Sequence, residues 1–224
     1  MPTDEFRELR TQMVAEIAAE TVFSSGETGR AALDPRVLDA LGRVPRHEFV
    51  PVELRPYAYV NSPLPIGCDK TISQPFICAL MTDLLEPKAE DRVLEIGTGL
   101  GYQAAILSGL VHTVYSVEFI DALAEQAKRR LGAYKNVVLR TGNGYYGWPE
   151  HAPFDKVIVT AAPDLIPPML IQQLKAGGRM VIPAGLPETQ KLLLVEKDAH
   201  GRAKTKEILR VRFSLLEGAD NPGA

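Results

Sequence analysis

The chain has 224 residues, 46% hydrophobic and 24% charged, with 25 basic against 28 acidic side chains and a net charge of −3. That composition excludes disordered, collagen-like and coiled-coil proteins, and the length suffices to bury ~70% of the surface without covalent staples. No basic excess advertises nucleic acid or an anionic membrane.

Two cysteines, Cys68 and Cys78, are too few for a disulfide framework. The four histidines are scattered, and none stands at a metal-ligand spacing, so no metal is expected. The segment MPTDEFRELRTQ has no apolar region of the kind a secretion signal needs, and no apolar run reaches membrane length. A cytoplasmic protein, acting as a monomer, is expected.

In chain order, Phe6, Leu9, Met13 and Ile17 step at three and four residues and predict one face of a helix up to Phe23. The loop SSGETGR follows. Asp34 and Pro35 then read as cap and first turn of a short helix with Val37, Leu38 and Leu41 inward, ended by Pro45. Residues 45 to 75 hold six prolines and predict an irregular surface stretch. Pro75 opens a helix that Pro87 closes.

After Asp91 strands and helices alternate: RVLEIG, then GYQAAILSGL; TVYSVEF, then DALAEQAKRRL; NVVLRTG; DKVIVTAA; the helix IPPMLIQQLKAGG with a Gly-Gly stop; and RMVIPAG. Such alternation implies a parallel sheet covered by helices on both faces. Residues 191–213 carry two strand-like runs around a polar turn, an antiparallel hairpin on the sheet edge. The expected fold class is α/β, mainly parallel, with an N-terminal helical addition (1–90) packed on a core (91–224).

The strongest local signal is Glu95-Ile-Gly97-Thr98-Gly99-Leu-Gly101, directly after a strand and before a helix. Glycines there let backbone approach a ligand closely. The pattern is G-x-G-x-G after a carboxylate, not the G-x-G-x-x-G that seats a pyrophosphate. Glu118 closes the next strand, where a carboxylate can accept both hydroxyls of a ribose. Together they resemble the S-adenosylmethionine site of Rossmann-like methyltransferases; the bland alternative is a tight turn with two surface glutamates. Asn143-Gly144, after the third strand, is either a simple turn or a neighbour of the adenine. Ser73, just outside the cap position Gln74, either bonds a local N–H or joins free N–H groups of the helix end in receiving an anion. Thr71 has the same ambiguity.

Beyond these motifs, RVPRHEFVP (43–51), LPIG with TISQP (64–67, 71–75), VLEIGTGLGYQAAIL (93–107), VYSVE (114–118), FDKVIVTAAP (154–163) and LKAGGRMVIPAG (174–185) resemble the protein-L-isoaspartate O-methyltransferases. The combination of TISQP with VTAAP is the family-specific part. The resemblance implies methyl transfer from S-adenosylmethionine to the free α-carboxylate of L-isoaspartyl residues in damaged proteins, giving an ester that cyclises to succinimide. It also implies Ser73 at the active site and Thr71, Ile72, Gln74 and Pro183 around the substrate. By the same resemblance, Glu95, Gly97, Thr98, Gly99 and Gly101 hold the methionine part, Glu118 the ribose, and Asn143 with Gly144 the adenine. The family usually has Asp-Gly where this chain has Asn143-Gly144.

An α-carboxylate is ionised at pH 7, so the implied reaction needs no general base, and its demand is alignment of acceptor, methyl and leaving sulfur. A nucleic-acid amine methyltransferase would want an N-P-P-Y-like run where this chain has Thr160-Ala161-Ala162-Pro163. A phenol methyltransferase would want a base or a metal. A non-enzymatic binder of S-adenosylmethionine is the third alternative.

Overall fold

The computed structural model describes residues 5–218. Helix α1 (Arg7–Phe23) buries Met13, Ile17 and Thr21, a stripe at every fourth residue, whereas Leu9, expected on that face, stands exposed. The expected loop closes into one turn, α2 (Ser25–Thr28), ended by Gly29 in the left-handed region. Helix α3 (Pro35–Arg43) starts as its sequence dictates: the Asp34 carboxylate accepts from Arg36 N at 2.8 Å.

Residues 45–75 are far more ordered than their prolines suggest. Two 3₁₀ turns, Arg46–Phe49 and Val52–Tyr57, are followed by an unexpected antiparallel hairpin of β1 (Leu64–Gly67) and β2 (Lys70–Ile72). Its loop residues Cys68 and Asp69 have φ of 52° and 55°, the mirror-image turn whose twist matches two paired strands. Helix α4 (Pro75–Leu85) comes directly after, with Gln74 at the cap.

The main sheet is built from β3 (Arg92–Ile96), α5 (Tyr102–Ser108), β4 (Thr113–Glu118), α6 (Asp121–Arg130), β5 (Val137–Thr141), β6 (Phe154–Val159), α7 (Pro168–Gln173), β7 (Leu174–Ala184), β8 (Lys191–Lys197) and β9 (Ala203–Arg210). The strand order is β5-β4-β3-β6-β7-β8-β9. The first five run parallel, while β8 and β9 are antiparallel. This is the Rossmann-like α/β class, with the edge hairpin where the sequence puts it. One boundary differs. The helix after Pro167 ends at Gln173 because buried Leu174 pairs with Phe154 in the ladder, and Gly177-Gly178 then pass through a bulge instead of stopping a helix.

Strands β3, β4 and β6 bury both faces. Val93 and Ile158 face a cluster that runs from Met13 and Ile17 through Leu80, so the N-terminal helices share the core of the sheet. Leu94, Ile96 and Val157 face Leu170 on the other side. The strand order reverses between β3 and β6, and a crevice opens at the carboxyl ends of such strands.

Residues 211–218 form a strap that returns from β9 across that crevice. Gln190, 2% exposed, holds it from both ends of its amide: Phe213 N donates to Oε1 at 2.6 Å and Nε2 donates to Phe213 O at 3.1 Å. Ala162 N donates to Ser214 O and Leu216 N to Ala162 O. Lys70 at the hairpin pairs with Glu217 at 2.5 Å.

Candidate active site

The crevice is a cavity of about 330 Å³. Three walls meet there: the segment from Lys70 to Cys78, the strand ends at Ile96–Leu100 and Val117–Ile120, and the strap from Arg210 to Glu217.

The second wall is the glycine turn. Gly97 has φ 92°, and a Cβ on it would sit 2.6 Å from Thr160 Oγ1, which itself donates to Gly97 O at 2.6 Å. Gly101 has φ 101°, and a Cβ there would sit 2.6 Å from Leu131 Cδ1. Neither position accepts a side chain without strain. The turn therefore presents backbone to the cavity at Gly97, Thr98 and Gly99, while Gly101 lies behind as the link to α5.

Glu118, at the end of β4, is 6% exposed and lines the cavity. Its Oε2 accepts from Gly99 N at 2.7 Å and its Oε1 from Ile120 N at 3.0 Å. Burial raises its pKa, and these two N–H groups pull the other way. Each oxygen keeps a lone pair for a hydroxyl.

Glu95 lies deeper than the sequence suggests. It is fully buried and outside the cavity wall. Ser116 Oγ donates to its Oε2 and is also 2.6 Å from Thr98 Oγ1, while Oε1 has no partner. Burial pushes its pKa up to about 8. The glutamate thus reaches the turn through Ser116 and Thr98 and does not itself face the cavity.

On the first wall, Thr71, Ile72, Ser73 and Gln74 all line the cavity. The Ser73 hydroxyl has no hydrogen-bond partner among the described residues, so the local-capping alternative fails. The first N–H of α4 is not free, because Phe76 N donates to Asn61 Oδ1 at 3.0 Å. Any anion here meets Ser73 rather than that donor.

Besides Glu95 and Gly101, two more expected site residues lie off the cavity wall. Asn143 spends both ends of its amide away from the cavity: Oδ1 accepts from Tyr145 N at 2.9 Å, and Nδ2 donates to Gly218 O. Gly144, the next residue, does line the cavity. Pro183 is buried inside β7 opposite Leu192 of β8, off the cavity wall. Conversely, sequence reasoning missed Lys70, Phe119, Ile120, Thr160 and the strap as lining residues. Phe119 and Ile120 adjoin Glu118 in sequence and could have been inferred; nothing in the sequence announces the strap.

The cavity suits a ligand with a sugar hydroxyl pair: backbone held close by glycines and a carboxylate with spare lone pairs. Among the described residues no His, Cys, Asp and Glu group could hold a metal, and no helix is long and apolar enough to cross a membrane.

Comparison with known proteins places the chain in a family. The model of the family described as protein-L-isoaspartate(D-aspartate) O-methyltransferase matches residues 18–220. A protein-L-isoaspartate O-methyltransferase 1 of Polaromonas sp. strain JS666 is 64% identical, over 100% of this chain and 95% of its own length. A protein-L-isoaspartate O-methyltransferase 2 of Syntrophobacter fumaroxidans is 56% identical over 96% of this chain and 88% of its own. A solved protein-L-isoaspartate O-methyltransferase superposes with a TM-score of 0.79 at 30% identity, covering 93% of this chain and 66% of that one.

Proposed function

Because the chain belongs to the protein-L-isoaspartate(D-aspartate) O-methyltransferase family, we propose that the three walls divide the work of one methyl transfer. The enzyme takes the methyl group from S-adenosylmethionine and places it on the free α-carboxylate of L-isoaspartyl residues, the first step of their repair. When bound, S-adenosylmethionine supplies an electrophilic methyl carbon on a cationic sulfur. Residues 91–224 serve the donor: the turn Gly97-Thr98-Gly99 lies against its methionine part and Glu118 accepts its ribose hydroxyls. Residues 1–90 serve the acceptor through Thr71, Ile72, Ser73 and Gln74.

The observation that carries this reading is Ser73, which lines the same cavity as Glu118 and the glycine turn and whose hydroxyl has no partner among the described residues. It donates to one oxygen of the incoming carboxylate and fixes the other toward the methyl. Transfer from the bound donor would form the O–C bond as the C–S bond breaks, with the sulfur keeping the electron pair. No proton moves, so no base is needed. Attraction between the two charges fades as both are neutralised and favours the ground state. The acceleration therefore comes from alignment, and Ser73 with its backbone supplies it. Isoaspartyl proteins and peptides are the substrates, and the even balance of basic and acidic residues fits a polypeptide partner better than a nucleic acid.

The test is methyl-ester formation on an isoaspartyl peptide against its normal aspartyl twin. Ester on the isoaspartyl peptide alone is expected; equal labelling of both, or of neither, overturns the reading.

A further inference from the structure

Arg46 is fully buried, yet no carboxylate pairs with it among the described residues. Its Nε donates to Ala58 O at 2.8 Å and its Nη2 to Ser73 O at 2.7 Å, while Nη1 has no partner. The guanidinium lies 4.7 Å from the ring centre of Tyr102, whose buried hydroxyl is also unpartnered. Ser73, Cys78 and Tyr102 all line the cavity. Taking a cation out of water without a counter-charge costs several kcal/mol, and the bonds to two neutral carbonyls only partly offset it. Such a charge persists where the surroundings gain from it.

We propose that Arg46 is the positioning residue and counter-charge of the acceptor wall: it fixes the Ser73 backbone and draws an anionic group to the Ser73 side of the cavity. The inference rests on the methyl-transfer reading above, in which that group is the substrate carboxylate. Burial raises the pKa of Cys78 and of Tyr102, and the neighbouring Arg46 charge opposes that rise in both. Arg46 touches no reactant. Its guanidinium reaches two carbonyls from one planar group, and a lysine ammonium keeps the charge without that fork.

The experiment measures S-adenosylmethionine and S-adenosylhomocysteine affinities by calorimetry, and peptide kinetics, for the parent, Arg46→Gln and Arg46→Lys. The two ligands differ by one methyl and one positive charge, so their affinity ratio reads the field in the cavity and not the integrity of the fold. In Arg46→Gln the ratio should move toward the cationic ligand by at least threefold, the direction expected when a buried unit charge beside the cavity is removed. The peptide KM should rise at least fivefold. In Arg46→Lys the ratio should stay within twofold of the parent while kcat falls at least tenfold, since Ser73 loses its anchor. An unchanged ratio in Arg46→Gln, or parental kcat in Arg46→Lys, overturns the proposal. If Arg46→Gln does not fold, the lysine variant decides alone: a ratio shifted more than twofold, or a parental kcat, overturns it. A parent that binds neither ligand refutes the methyl-transfer reading instead.

Discussion

Glu95→Gln should flatten the pH dependence of stability. In the fold the carboxyl is fully buried, its Oε1 has no partner, and its pKa is pushed up to about 8 from the usual 4.5. Between those values the folded protein keeps a proton that the unfolded chain has released. The folded state then binds more protons, so stability falls as pH rises from 4.5 through about 8, with a slope of up to ~1.4 kcal/mol per pH unit. Integrated from pH 6 to pH 8, this single group removes roughly 2 kcal/mol. A glutamine imitates the protonated acid: its oxygen still accepts from Ser116 Oγ, and its NH₂ takes the place of the proton on Oε1. Urea unfolding of ligand-free parent and variant at pH 5.5, 6.5, 7.5 and 8.5 would measure the difference, because every other titrating group is common to both. The variant should gain roughly 3 kcal/mol on the parent over that range. A difference that stays constant with pH would refute the reasoning and place an ionised Glu95 in the fold.

Ser73→Ala should lower kcat at least tenfold while leaving S-adenosylmethionine affinity within twofold and the melting temperature within about 2 °C, as its hydroxyl bonds nothing in the fold; an equal loss of stability and turnover would return it to a local structural role. Glu118→Gln exchanges one of two N–H-accepting oxygens for a donor, so S-adenosylmethionine binding should weaken by about 1.5–3 kcal/mol, read by calorimetry; unchanged affinity removes it from the site. Gly101→Ala forces a side chain onto φ 101° and against Leu131, costing about 3 kcal/mol from strain and overpacking together, which calorimetric melting should show as a fall of roughly 6–12 °C. Asn143→Asp should not tighten the cofactor; it replaces the donor to Gly218 O with an acceptor, and trypsin should cut faster at Arg212, unless the strap is held independently of that bond.

The parallel core was legible because alternating apolar runs and turns allow few other packings. The glycine turn, Glu118 and the Ser73 segment were legible because strand ends and a first-turn proline fix where each stands. What stayed hidden depends on contacts remote in sequence. The hairpin at 64–72 has no Asn-Gly to announce it, and its left-handed residues are Cys68 and Asp69. Leu174 left its helix because Phe154 offers a ladder partner. Glu95 and Glu118 look alike at two strand ends, yet one points into the core and the other into the cavity. Asn143 looked like an adenine neighbour because the resemblance aligned it with Asp; its partner, Gly218, lies 75 residues away.

The strap gives the cavity a folding history. Its wall joins residues 70–78 to residues 210–217, and such distant contacts form only after the intervening chain has been ordered. A partly folded protein with β3, α5 and β4 in place would own the glycine turn and Glu118 but no enclosed site. Ligand binding therefore belongs to the finished molecule alone, and its free energy adds to every opening that breaks the enclosed site, local or global. At a hundred times the dissociation constant that addition is about 2.7 kcal/mol. Hydrogen exchange in β3 and in the strap should slow together when ligand is added, by an amount that grows with ligand concentration.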